Sequence, residues 1–126
     1  MNVLYKNATN RHQLCFSENP EQFEDILISY KQRGRVLMRR TKKDLSFEER
    51  SGCGCKKHWI ASWEIAPRET LRFTEKLPVF LQAIKLRSDG GQEPGEIVEL
   101  DVIESLDHAS YREVNGFEPH VRRTLF

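Results

Sequence analysis

Cys53, Cys55 and His58 fall within six positions of one another, with Gly54, Lys56 and Lys57 between them. Thiolates and neutral imidazoles are the ligands of tetrahedral zinc, and Cys15, or His12 three residues before it, could complete the set. A C-x-C step is shorter than the C-x2-C to C-x4-C step of most zinc sites, and no second close cysteine pair exists. The adjoining lysines favour the thiolate form, so the same pair could also do redox chemistry. That reading lacks the C-x-x-C spacing at a helix N-terminus, and no βαβ context surrounds the pair. A third reading takes Gly52 and Gly54 as turn formers and the cysteines as incidental. The sequence leaves all three open, with zinc as the one cofactor it raises.

The second chemical feature is charge. Formal net charge is only +1, yet residues 31–57 carry ten basic residues against three acidic ones, while residues 1–30 and 58–126 sum to −2 and −4. Clustered lysine and arginine are what neutralise phosphates, so an anionic macromolecule, nucleic acid first, is the expected partner. Arg35, Arg39, Arg40, Lys42, Lys43, Lys56 and Lys57 are the candidate contacts. The bland alternative is a solvated basic face paired with the acidic C-terminal part of the chain.

Two carboxylates, Glu99 and Asp101, share one face of a predicted strand and are the nearest thing to an acid/base or metal-binding pair. If the preceding strand pairs with equal parity, Lys85 and Arg87 lie opposite and neutralise them. The four histidines, His12, His58, His108 and His120, are scattered, and phosphate-binding glycine loops, G-x-S-x-G and H-E-x-x-H are absent. A small hydrolytic enzyme is therefore weighed last, behind a non-catalytic binding module, a zinc or thiol protein, and a protein–protein adaptor or homodimer.

The elements that must position these residues follow from periodicity. Trp59, Ala61, Trp63 and Ile65 alternate with His58, Ile60, Ser62 and Glu64, a half-buried strand whose two indoles form either the core or a stacking platform. Asn19 as cap, Pro20 at the first helical position, and Phe23, Ile26, Leu27 and Tyr30 at i, i+3, i+4 and i+7 predict a helix over 20–33, with Gly34 as its C-terminal cap. Ile26, Ile28 and Tyr30 also fit a strand. Strands are expected at 2–5, 12–16, 35–41 and 69–76, and a hairpin from 79–87 and 96–106 around SDGGQEPG. Residues 42–55 read as a polar loop, and 107–114 as a short helix capped by Asp107, followed by an extended apolar tail.

The 126 residues, at 38% hydrophobic and 31% charged, are the size of one domain, residues 1–126. Three cysteines at unpatterned spacings suggest a reducing compartment, and no apolar run reaches the length of a membrane span or signal peptide. The expectation is a cytoplasmic α+β domain without membrane contact: a mainly antiparallel sheet, flat or curled to a partial barrel, with the 20–33 helix packed on it.

Overall fold

The computed structural model describes residues 2–51 and 57–104 and the backbone of Arg123–Leu125. Two sheets face each other across one core. The first has the order β1 (Val3–Lys6), β8 (Gln92–Glu104), β7 (Val79–Leu86), β3 (Asp25–Gln32) and β4 (Arg35–Arg40). The second runs β5 (Ser46–Ser51), β6 (Lys57–Ile65), β2 (Asn10–Phe16) and β9 (Arg123–Leu125). Most neighbours are antiparallel, but β1 lies parallel to β8 and β9 parallel to β2.

The α+β expectation is overturned. The one α-helix among the described residues, α1, spans only Pro67–Thr70. Asn19 does cap, its side chain accepting from the Glu21 N–H, but it caps a single 3-10 turn, Pro20–Gln22. The rest of the predicted helix is strand β3, because Ile26, Ile28, Tyr30 and Gln32 at period two fill the core and both backbone edges find partners, β4 and β7. Apolar spacing there satisfied both periods, and pairing on both sides decided between them. Gly34 does have positive φ, but as the second residue of a two-residue hairpin turn after Arg33, which has positive φ as well. That is the type I′ geometry that tight hairpins require.

Other boundaries move less. The polar loop holds a strand, β5, while the strand expected at 69–76 is α1 followed by turns. The 79–104 hairpin forms as expected, with its second arm starting earlier, at Gln92. The predicted 107–114 helix lies outside the described residues.

Side chains that alternate inward build the core. Val79 and Leu81 of β7, Leu100 of β8 and Leu4 of β1 meet Phe16 of β2 and Ala61, Trp63 and Ile65 of β6. Each large apolar side chain so buried contributes about 2 to 3 kcal/mol. Trp63 is core rather than platform, while Trp59 is half-buried on the same face. The core has a polar centre: the Trp63 indole N–H donates to the Tyr30 hydroxyl at 2.8 Å, and that hydroxyl lies 2.5 Å from His12 Nδ1. Since the tyrosine oxygen already accepts, its proton goes to Nδ1, and the imidazole is the tautomer protonated at Nε2. Burial depresses the His12 pKa to about 4, against a backbone hydrogen bond to Val3 that raises it. Burial likewise pushes the Tyr30 phenol up. Three neutral groups thus join the two sheets.

Candidate functional site

The seven basic residues singled out in the sequence are not equivalent. Arg40, partly buried, grips Glu69 with one guanidinium nitrogen 2.8 and 2.9 Å from the two carboxylate oxygens and also reaches the Glu64 carbonyl at 3.1 Å. Burial resists ionisation of Glu69, but Arg40 and the Ala66 N–H outweigh it and hold the carboxyl below its usual range. Lys42 donates from Nζ to the Phe23 carbonyl at 2.8 Å, and Lys57 pairs with Glu49 at 3.3 Å. Arg40 and Lys42 serve the fold, while the Lys57–Glu49 pair is an exposed surface pairing that offsets the lysine's charge. Lys56 lies outside the described residues. Arg35, Arg39 and Lys43 are exposed and form no ion pair among the described residues.

Arg35 belongs to a cluster that local charge counting does not reveal. At the tip of the β3–β4 hairpin, Arg33 occupies the turn and Arg35 opens β4. Gln32, 3% exposed at the end of β3, ties this tip to a distant loop: its amide donates to the carbonyls of Thr74 (2.8 Å) and Leu77 (3.1 Å), and its carbonyl accepts from the Thr74 N–H (2.8 Å). The loop brings Arg72, whose guanidinium donates to the Leu37 carbonyl at 3.1 Å, and Lys76, held at positive φ. Glu75, the acidic residue beside Lys76, is taken up by Lys6 at 3.5 Å. One end of the sandwich therefore gathers Arg33, Arg35, Arg72 and Lys76, none of them in an ion pair among the described residues. No local sequence signal marks this clamp, whose partners stand more than 40 positions from Gln32.

A cleft of about 570 Å³ opens beside the Lys42–Asp44 turn, lined by Glu24, Asp25, Thr41, Lys42, Lys43 and Phe47. Its cations face acidic neighbours, and Asp25 accepts from the Lys42 backbone N–H at 3.0 Å, so it does not present a single sign of charge.

The candidate metal ligands divide. His12 is buried in the core, whereas Cys15 is exposed on the outer face of the four-stranded sheet, since residues three apart on a strand point to opposite sides. Cys15 stands opposite Ile60, and His58 lies two residues from Ile60 on the same face, opposite Arg50. Ser51 pairs with Lys57, so residues 52–56 join two paired strands; Cys53 and Cys55 themselves lie outside the described residues. Among the described residues no three metal-ligating side chains gather.

The carboxylate pair also differs from expectation. The β7–β8 register sets Phe80 opposite Glu99, and Asp101 opposite Val3 of β1. Lys85 instead faces Glu93, and Arg87 binds Glu93 (2.7 Å) and Glu18 (3.2 Å). Glu99 and Asp101 are exposed with no ion pair among the described residues.

Fold and site together define a small two-sheet β domain with a cluster of basic residues at one end. No family model and no curated protein matches the chain. Among solved structures it is similar to the Ig-like domain of mouse leukocyte-associated immunoglobulin-like receptor 1, crystallised as a strand-swapped dimer. The two share 13% identity over 80% of this chain and 85% of that chain, with a TM-score of 0.43. No helix among the described residues is long and apolar enough to cross a membrane.

Proposed function

We propose that the chain is a non-catalytic binding module whose basic end receives an anionic macromolecule, nucleic acid in the first instance. The observation that carries this is the gathering of Arg33, Arg35, Arg72 and Lys76, from two separate segments, with no ion pair among the described residues and only Arg72 within electrostatic reach of a carboxylate, Glu69, which Arg40 already grips. Guanidinium and ammonium groups left unpaired at one end attract phosphates and release their counterions. The set differs from the seven residues expected from sequence: Arg35 remains, Arg40, Lys42 and Lys57 leave, Arg39 and Lys43 stand exposed outside it, Lys56 lies outside the described residues, and Arg33, Arg72 and Lys76 join.

Four phosphate contacts imply a loss of affinity on the order of a hundredfold between about 50 and 200 mM salt. Fluorescence anisotropy with labelled mixed-sequence duplex DNA, single-stranded DNA and RNA measures it. Replacing Arg33 and Arg35 by alanine should weaken binding without moving the melting temperature. Absence of binding at the lower salt defeats the proposal.

A second reading is supported by Cys15 and His58 sharing the outer face beside the 52–56 connection. There a zinc ion held by Cys15, Cys53, Cys55 and His58 would staple the hairpin tip to β2. Native mass spectrometry of reduced protein tests it: stoichiometric zinc lost on Cys15→Ser supports the site, and a metal-free mass in zinc-supplemented buffer removes it.

A further inference from the structure

We infer that the outer face of the five-stranded sheet is a contact surface for a second copy of this chain. This face adjoins the basic end, its first row standing one rung from the Gln32–Arg35 pair at the β3–β4 tip. In one row across it stand Val36 of β4, Lys31 of β3, Phe80 of β7 and Glu99 of β8; in the next stand Arg39, Ser29, Gln82 and Ile97. Val36, Phe80, Ile97 and, further along β8, Ile103 are 36%, 38%, 62% and 41% exposed, apolar side chains interspersed with charged ones on the solvent side of a sheet.

What selects the occupant is the order of the charges. The cations Lys31 and Arg39 lie on one side of the central strand β7 and the anions Glu99 and Asp101 on the other. None of the four has an ion-pair partner among the described residues. A nucleic acid would meet repulsion along β8, and a partner of one sign of charge would meet it on one side or the other. A second copy meets none. A two-fold axis running along β7 lays β3 of each copy over β8 of the other, which sets Lys31 over Glu99 of the second copy twice and Phe80 against Phe80. A two-fold axis across the strands would superpose like charges, so the pattern also fixes the orientation.

Five strands spaced by about 4.8 Å and six residues rising by about 3.3 Å cover about 500 Å² per copy. This is below the roughly 800 Å² per partner of a standard interface, so the dimer is a reversible one.

Sedimentation of reduced, full-length protein from about 1 to about 500 µM tests the inference. The expected result is a concentration-dependent monomer–dimer equilibrium. Ile97→Asp and Lys31→Glu should each raise the dissociation constant more than about tenfold, and Lys31→Glu combined with Glu99→Lys should restore it to within about threefold. Ile97 is exposed, and circular dichroism and the melting temperature of each variant establish that it folds. A monomer at the highest concentration overturns the inference. So does a dimer indifferent to Ile97→Asp, which would place self-association elsewhere, and so does a charge swap that fails to rescue.

Discussion

The two hairpin tips at opposite ends of the five-stranded sheet treat their arginines in opposite ways. At the β7–β8 tip, Arg87 is held by Glu18 and Glu93 and its guanidinium lies 5.0 Å from the Phe23 ring centre, with Lys85 also over that ring at 5.3 Å. Arg87 hydrogen bonds hold both carboxyls below their usual range, and the same bonds raise the Arg87 pKa further. At the β3–β4 tip the cations form no ion pair among the described residues: Glu75 is turned to Lys6, and Glu69, within electrostatic reach of Arg72, is gripped by Arg40. The lesson is that a count of lysines and arginines says little about binding until the internally satisfied ones are removed. Here that subtraction moves the proposed anion-binding surface from a sequence segment to one end of the fold.

The largest effect is expected between the two ends, at the polar centre they share. Tyr30→Phe removes the acceptor of the Trp63 N–H and the donor to His12, leaving two buried polar atoms unsatisfied at a cost of about 2 to 4 kcal/mol, read by urea denaturation. Acid strikes the same place. The folded His12 pKa of about 4 lies below its reference value of 6.5, so between these values the unfolded chain binds the extra proton. Stability is complete above the upper value and falls as pH drops towards the lower one, by about 3 kcal/mol in all. His12→Gln should flatten that dependence. Glu18 and Glu93, with pKa values lowered from 4.5, contribute a loss of their own only as pH falls below about 5, so the upper part of the window belongs to His12.

Gln32→Ala comes next. It strands three backbone groups of the 74–77 loop, with an expected cost of about 2 kcal/mol, and loosens the hold on Arg72 and Lys76. Anion affinity should fall with stability, which distinguishes the clamp from a merely structural contact elsewhere. The smallest effect is expected from Arg87→Ala, which should lower the melting temperature slightly and leave anion affinity unchanged. The reverse pattern, lost affinity with unchanged melting, belongs to Arg33 and Arg35. If Arg87→Ala weakens anion binding as much as they do, the contrast between the two ends fails.

Much of the strand content was legible, because alternation at Trp59 to Ile65 and along β7 and β8 has no competing period. The 20–33 segment was not. Phe23, Ile26, Leu27 and Tyr30 trace a helical stripe as well as Ile26, Ile28 and Tyr30 trace a strand, and the cap at Asn19 was real but closed only one turn. Local signals could not weigh the two neighbouring strands that satisfy β3. The site was legible as a charge excess but not as a set of residues. Arg40 is removed by Glu69, 29 positions away, and Lys76 is brought in by Gln32, more than 40 positions away, and neither partnership leaves a local trace. The separation of His12 from Cys15, by contrast, follows from strand geometry alone once β2 is recognised.

The strand order has a consequence for how fast this chain reaches its fold. The β3–β4, β5–β6 and β7–β8 hairpins join sequence neighbours, and the Arg33–Gly34 turn lets the first of them close on a microsecond timescale. The sheet is completed only when Ser29 finds Gln82 and Leu4 finds Val102, contacts separated by 53 and 98 positions. Such distant pairings carry a large loop-closure entropy before any burial compensates, which places folding in the millisecond-to-second range. Until β7 docks, the β3 edge is open to whatever strand arrives first.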